Sequence, residues 1–198
     1  MNRFLKRAWA EIDLDALEHN YNEIKKLAKG KDILAVVKAN AYGHDDKAVC
    51  LKLQELGVKY YGVSNLWEGE KLRQHGITGT ILTFGYTDED YFDELLEYGI
   101  TQTAGSVQYA KQLSDYAVSK GVKLPVHIKV NTGMTRVGID SQQEMLDILA
   151  MPGLDCKAAY THFAAADSLD PSDVEYTDRQ QEKLMKIACL LYTSPSPR

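Results

Sequence analysis

The feature that most constrains this chain is a regular alternation of short apolar runs with longer amphipathic stretches, most of which end at a glycine. In the first cycle, an amphipathic stretch begins after Asp13, ends near Gly30 and is followed by an apolar run at residues 33–37. Asp13 is predicted to cap a helix and Gly30 to end it. Strands that alternate with helices at this spacing form βαβ units with parallel strands. The sequence therefore predicts an α/β protein.

Six such cycles can be followed along the chain. The predicted strands are residues 33–37, 58–63, 80–84, 100–103, 125–130 and 157–163. The predicted helices begin at Asp13, Asp46, Leu66, Asp88, Ser106, Ser141 and Thr177. Ser141 with Glu144, and Thr177 with Gln180, both fit the capping box that marks a helix start. The first strand is apolar throughout, which predicts burial on both faces.

Two architectures fit this pattern, an open doubly wound sheet and a (β/α)8 TIM-type barrel. A closed barrel needs eight βα units and about 250 residues. With 198 residues and about six units, the chain would be an incomplete barrel. Residues 192–198 abandon the helical pattern with two prolines, so we predict a domain over residues 1–191 followed by a non-native or disordered tail.

Composition argues against several classes of protein. The formal net charge is −5, and the basic residues are scattered among acidic ones, which argues against a nucleic-acid partner. No apolar run approaches the roughly 20 residues that span a bilayer, and Glu11 precedes any signal-peptide core. The cysteines are odd in number and lack metal-ligand spacing: Cys50, Cys156 and Cys189. We predict a cytoplasmic protein with no membrane segment and no metal.

The sharpest chemical signal is Lys38, which directly follows the apolar run of the first predicted strand. An ammonium at this position must be paired, exposed at the mouth of a site, or used covalently. Desolvation lowers the pKa of a lysine, which suits Schiff-base formation and proton abstraction. A lysine that reaches solvent from an edge strand accounts for the pattern equally well.

Three further polar residues accompany predicted strand ends. Lys129 alternates with apolar neighbours in the fifth strand, which predicts that it faces the barrel interior. Arg136 follows in a glycine-containing loop, where a guanidinium could bind a carboxylate in a forked geometry. His162 falls at the end of the sixth strand, and the C-terminal strand ends of a barrel form its active site.

These residues lie in three motifs by which the sequence resembles the alanine racemase family. Residues 37–44 match V-K-A-x-A-Y-G-H, residues 129–138 match K-V-x-T-G-M-x-R-x-G, and residues 161–164 match T-H-F-A. The resemblance continues in register from about residue 9 to at least residue 180. Asn131 departs from it, since many members have aspartate there. It implies that residues 1–191 are part of the N-terminal barrel that binds pyridoxal 5'-phosphate, and that the family's C-terminal β-domain is missing.

The resemblance also implies a role for each site residue. Lys38 would hold pyridoxal 5'-phosphate covalently and act as one of two catalytic bases. Tyr42 would donate its hydroxyl to the cofactor phosphate, and His162 would stack against the pyridine ring. Arg136 would bind the substrate carboxylate near the cofactor's phenolic oxygen. Lys129 is often carbamylated to N6-carboxylysine in the family, and the new carboxylate then holds the arginine.

The activity so implied is that of an isomerase, the interconversion of L-alanine and D-alanine that supplies D-alanine for peptidoglycan in the cell wall. The family acts as a homodimer, with a tyrosine of the partner subunit's C-terminal domain as the second base, so the chain alone is predicted to be inactive. A racemase for another amino acid, such as serine or lysine, is the nearest alternative. A decarboxylase relative and a non-catalytic pyridoxal-phosphate-binding barrel protein are others.

Overall fold

The computed structural model describes residues 9–193, which fall into two compact units divided between residues 84 and 85. In each unit, parallel strands alternate with helices. This confirms the predicted α/β class. None of the helices within residues 9–193 is long and apolar enough to cross a membrane.

Between residues 9 and 84, the first unit has three parallel strands and three helices of two or more turns. The strands are β1 (Leu34–Val36), β2 (Tyr60–Val63) and β3 (Thr80–Thr83), with β2 paired to both others. The helices are α1 (Leu14–Leu27), α2 (Asp46–Glu55) and α3 (Leu66–Gln74). Asp13 caps α1 as predicted, its carboxylate accepting from the N–H groups of Asp15 and Ala16. Tyr61, Leu72 and Ile81 are fully buried in the core of this unit.

The second unit repeats the same pattern. Its strands are β4 (Ile100–Ala104), β5 (Leu124–Lys129) and β6 (Leu154–Tyr160), with β5 paired in parallel to both others. Its helices are α4 (Phe92–Glu97), α5 (Val107–Ser119), α6 (Gln142–Leu149), α7 (Pro171–Ala188) and α8 (Leu190–Thr193). A 3-10 turn over Glu89–Tyr91 replaces the first part of the helix predicted from Asp88.

Burial of β1 on both faces was predicted from its apolar sequence, and the structure shows that this is wrong. Val36 is 40% exposed, and within residues 9–193 β1 pairs only with β2. An open apolar cavity of about 550 Å³ also lies along the strand, with Leu17 and Ile24 of α1 in its lining. An apolar sequence indicates that burial of the strand is favourable. Which elements bury it depends on neighbouring segments that the sequence of the strand does not specify.

The capping box predicted for Thr177 and Gln180 is also wrong. The helix α7 begins at Pro171, and Asp170 caps it by accepting from the N–H of Ser172. A proline in the first turn behind an acidic cap is a stronger start than the Thr-x-x-Gln pattern, because proline has no N–H to leave unsatisfied there. Gln180 consequently lies in the middle of the helix, where it is only 1% exposed.

The sixth strand is displaced from its predicted position. It was expected at residues 157–163 and is observed at Leu154–Tyr160. His162 therefore lies two residues beyond the strand rather than within it. At the C-terminus, α8 includes the first two residues of the tail predicted at 192–198, and residues 194–198 of that tail lie outside the described part of the chain.

The capping box predicted for Ser141 and Glu144 is present at the start of α6. The Ser141 hydroxyl accepts from the N–H of Glu144 at 3.2 Å, and the Glu144 carboxylate accepts from the N–H of Ser141 at 3.0 Å. Ser141→Ala leaves the Glu144 N–H without this acceptor, and we expect a loss of about 1 kcal/mol in the free energy of unfolding. Urea denaturation measures it, with Ser119→Ala at a helix C-terminus as the control. Equal losses in the two variants would contradict the assignment.

Candidate functional site

In the first unit, Lys38 stands two residues beyond the carboxyl end of β1, as the sequence predicts. Its side chain is half-buried, and its Nζ lies 6.0 Å from the ring centroid of Tyr42. Tyr42 is 59% exposed. An amine and a phenol therefore stand side by side at the end of this strand, and both can be reached from solvent.

The backbone between these two side chains is unusual. The φ angles of Ala39, Asn40, Ala41 and Tyr42 are 52°, 56°, 51° and 56°, so four successive non-glycine residues are left-handed. We call residues 38–42 the left-handed turn. Each residue in such a conformation costs about 1–2 kcal/mol, and this kind of strain collects at functional sites. The turn closes on main-chain bonds, with the N–H of Ala41 donating to the carbonyl of Val37 at 2.9 Å.

In the second unit, Lys129 is the last residue of β5 and is only 8% exposed. Its Nζ donates to the carbonyl of Val130 at 3.3 Å and lies 5.3 Å from the ring centroid of Tyr160. Burial, and to a smaller extent the positive charge of Arg136, lowers the pKa of Lys129 to about 8. A substantial fraction of this amine is therefore neutral close to physiological pH.

Arg136 is exposed on a loop at residues 130–139, which we call the arginine loop. The loop is closed at its base, where the N–H of Asn131 donates to the carbonyl of Ile139 at 2.8 Å. Gly138 has a φ of 135°, and a Cβ added there would lie 2.5 Å from the nitrogen of Asn131. Only glycine permits this close approach.

Asn131, the departure from the family pattern, has a clear structural role. Its Oδ1 accepts from the N–H groups of Gly133 at 3.2 Å and Thr135 at 2.9 Å, which shapes the arginine loop. Its Nδ2 donates to a carboxylate oxygen of Asp140 at 3.0 Å. An aspartate could accept the same two backbone bonds, but it could not donate to Asp140. The amide at position 131 and the carboxylate at position 140 therefore fit each other.

His162 is exposed, and its loop is tied to the arginine loop by Gln180. The Gln180 amide donates to the hydroxyl of Thr132 at 3.1 Å and to the carbonyl of His162 at 3.3 Å. Its oxygen accepts from the N–H of Ala164 at 2.9 Å. One buried side chain thus connects the segments that follow β5 and β6.

Sequence reasoning missed this role of Gln180 by placing it at a helix start. A usable signal was present, since Gln180 stands at helical spacing from Leu184 and Ile187 and so falls on the apolar face of the helix. A glutamine on such a face must find partners inside the protein. Tyr176, one turn before Gln180 on the same helix, also binds the arginine loop, since its hydroxyl donates to the carbonyl of Gly133 at 2.9 Å.

The five predicted site residues are thus divided between the two units. Lys38 and Tyr42 lie together in the first unit. Lys129, Arg136 and His162 lie in the second, each at or beyond the carboxyl end of β5 or β6, which are paired in parallel with Lys129 opposite Tyr160. Each unit therefore presents its candidate residues at or beyond the carboxyl ends of its strands.

Comparison with known proteins identifies the family. The family model described as "Alanine racemase, N-terminal domain" matches residues 12–197. This chain belongs to the alanine racemase family. The match confirms the resemblance carried by the three motifs, which lie within the matched residues.

Named relatives and solved structures agree with this assignment. The alanine racemase of Clostridium perfringens (strain SM101 / Type A) is 39% identical over 188 residues, which cover 93% of this chain and 48% of the relative. The alanine racemase structure from Clostridium difficile 630 has a TM-score of 0.89 at 36% identity, over 97% of this chain and 51% of that one. The chain thus spans about half the length of the alanine racemases it matches.

A racemase of another specificity has the same fold. The histidine racemase from Leuconostoc mesenteroides subsp. sake NBRC 102480 has a TM-score of 0.82 at 28% identity, over 94% of this chain and 49% of that one. The incomplete barrel predicted from the βα pattern therefore agrees with the N-terminal half of known racemase structures.

The pairing of Asn131 with Asp140 generates a reciprocal prediction. Asn131→Asp removes the donor and places two carboxylates against each other, so we expect a loss of about 1 kcal/mol in the free energy of unfolding, measured by urea denaturation. Adding Asp140→Asn restores a donor and should recover most of that loss, with Asp140→Asn alone completing the cycle. Strictly additive effects of the two changes would show that the pair does not interact.

Proposed function

We propose that the protein containing this chain is a pyridoxal-phosphate-dependent alanine racemase, an isomerase that interconverts L-alanine and D-alanine. The observation that carries the proposal is Lys38, held beyond a strand end in a strained turn beside Tyr42, in a chain of the alanine racemase family. The relatives named alanine racemase at 35–40% identity support alanine as substrate. The product would supply D-alanine for peptidoglycan.

The residues present suit pyridoxal 5'-phosphate. The side chain of Lys38 is half-buried beside the exposed ring of Tyr42, where a carbonyl group brought from solution could reach its amine. The hydroxyl of exposed Tyr42 can donate to a phosphate oxygen. Lys129 is the less suitable anchor, because it is almost fully buried against Tyr160.

The proposed chemistry divides into roles. When bound, the cofactor would supply a conjugated ring able to take up the electron pair left by the α-proton of an amino acid. Lys38 anchors the cofactor and moves that proton on one face of the substrate. Arg136 holds the substrate carboxylate with its forked donors, and His162 supports the pyridine ring.

Racemisation also requires a group on the opposite face, because a proton removed from one side must be delivered to the other. We assign this role to a tyrosine of the partner subunit in a homodimer, as the family resemblance implies. The cytoplasmic location remains a prediction of the sequence, as do the boundaries of the domain at residues 1–191.

A second candidate function is racemisation of a different amino acid. The histidine racemase of Leuconostoc has a closely similar fold, which favours a scaffold that accepts several side chains. Serine and lysine racemases are equally compatible with Lys38 and Arg136, since both residues would act on parts common to all amino acids. The side-chain preference of the full-length protein decides between them.

The first test is racemisation by the full-length protein, followed with a coupled D-amino-acid oxidase assay. We expect conversion of L-alanine, and its loss to background in Lys38→Ala, because that change removes both the anchor and one base. Lys47→Ala, an exposed lysine in the same unit, is the matched control and should retain activity. L-serine, L-lysine and L-histidine test the alternatives.

Borohydride reduction followed by peptide mapping identifies the anchoring lysine. The reduced cofactor should be found on Lys38. A label on Lys129 would contradict the assignment of Lys38. Cofactor binding without racemisation of any amino acid would favour the non-catalytic alternative.

Lys129 generates a separate prediction. A carbamate forms when a neutral amine attacks CO2, which creates an N–C bond and releases one proton. Because the pKa of Lys129 is lowered to about 8, its neutral form grows as the pH rises through this value, well before that of an ordinary lysine. With 13C-labelled bicarbonate, we expect a carbamate NMR signal that increases over this range.

The carbamate signal should be absent in Lys129→Ala and unchanged in Lys157→Ala, whose parent lysine is exposed and paired with Asp155. The carbamate would place a negative charge near Arg136. A signal that survives in Lys129→Ala would assign the modification to another amine and contradict the proposal.

A further inference from the structure

The left-handed turn after Lys38 poses a physical problem. Ala39, Asn40, Ala41 and Tyr42 all carry a side chain, yet all four adopt a conformation that disfavours one. The first glycine comes only afterwards, at Gly43. The main-chain bonds of a single turn are few, so contacts from outside the turn must select this conformation over the ordinary right-handed one.

Glu68, in the first turn of α3, makes such a contact. Its Oε1 accepts from the N–H of Ala39 at 2.9 Å. Its Oε2 accepts from both the N–H and the hydroxyl of Ser64, each at 2.7 Å. A single carboxylate therefore connects the first residue beyond Lys38 with the residue that follows β2. Three donors converge on it, which suits a group that only accepts and strengthens each bond through its charge.

A second set of contacts, from the helices α2 and α3, reaches the next residue of the same turn. The Oδ1 of Asn40 accepts from the N–H of Asp46 at 3.1 Å and lies 3.4 Å from the Nζ of Lys71. Lys71 in turn pairs with the buried carboxylate of Asp46 at 2.8 Å. The turn is thus held at Ala39 by Glu68 of α3, and at Asn40 by Lys71 of α3 and by the first main-chain N–H of α2.

We infer that Glu68 is a positioning residue for Lys38. The inference rests on the proposed function, in which Lys38 holds the cofactor. The N–H of Ala39 belongs to the peptide group that leaves Lys38, so anchoring it sets the orientation of that peptide plane and of the Cα–Cβ bond of Lys38. The side chain of Lys38 then leaves the main chain in one fixed direction. Less conformational entropy is therefore lost when its amine binds a carbonyl group.

A purely structural role for Glu68 makes a different prediction. Glu68 also lies near the start of α3, where the side chain of Asn65 already caps the helix by accepting from the N–H of Glu68 at 3.0 Å. If Glu68 served only to support this helix start through Ser64, its loss would lower the melting temperature. The behaviour of Lys38 in the folded protein would then be unchanged.

Glu68→Gln in the full-length protein is the test variant. Glutamine has the same shape, but it has one acceptor oxygen for the N–H groups of Ala39 and Ser64, and it lacks the negative charge that strengthens both bonds. Glu70→Gln, on the same helix and away from the turn, makes the same change in charge and is the matched control. Ser64→Ala removes one donor to Glu68 and leaves the bond to Ala39 intact.

Three measurements separate the roles at a temperature well below unfolding. In the cofactor-free protein, hydrogen exchange over residues 37–44 should accelerate in Glu68→Gln only. Affinity for pyridoxal 5'-phosphate, followed by the visible absorbance of the lysine-bound cofactor, should fall roughly tenfold in Glu68→Gln and little in the other two variants. The pH midpoint of that absorbance should also shift in Glu68→Gln alone.

Identical exchange, affinity and pH midpoint in Glu68→Gln and Glu70→Gln would overturn the inference. A lower melting temperature with unchanged affinity and midpoint would overturn it too, in favour of the structural role. Failure of the proposed function itself is distinguishable, since it appears in the unmutated protein as the absence of a reducible cofactor link on Lys38. The exchange measurement needs no cofactor and still reports whether Glu68 holds the turn.

Discussion

Parallel pairing of strands is the constraint on which the rest of this structure depends. Because neighbouring strands of a parallel pair run in the same direction, the segments that follow them leave from the same edge. In the second unit this brings Lys129, at the end of β5, opposite Tyr160 at the end of β6, with the arginine loop and His162 immediately beyond. Side chains far apart in sequence are therefore gathered at one edge before any specific contact between them forms.

The polar side chains near this edge form specific hydrogen bonds. Gln180 uses both its donor and its acceptor atoms between two segments, and Asn131 does the same between the arginine loop and Asp140. Lys129 differs from these two residues, because its amine meets a carbonyl and an aromatic ring rather than a carboxylate. Its lowered pKa follows from this incomplete compensation.

In the first unit, side-chain hydrogen bonds stabilise a strained segment of backbone. The left-handed turn would be unfavourable in isolation, and hydrogen bonds to Glu68 and from Asp46 to Asn40 stabilise it in this conformation. A rigid turn has a clear use if Lys38 holds a cofactor, since the amine of a flexible side chain is best directed by a fixed main chain. The exposed ring of Tyr42 completes the turn on the solvent side.

Local sequence signals by themselves determined the order of the elements and the position of Lys38. Asp13 and Ser141 were correctly predicted as helix caps because a cap depends on residues within one turn, and the apolar run before Lys38 identified the strand that precedes it. The motifs also identified the family. The left-handed turn, the hydrogen-bond partners of Gln180 and the pairing of Asn131 with Asp140 were decided only by tertiary structure. Each depends on partners many residues away, such as Glu68 for Ala39 and Thr132 for Gln180, and no local pattern of propensity encodes where the fold will place them.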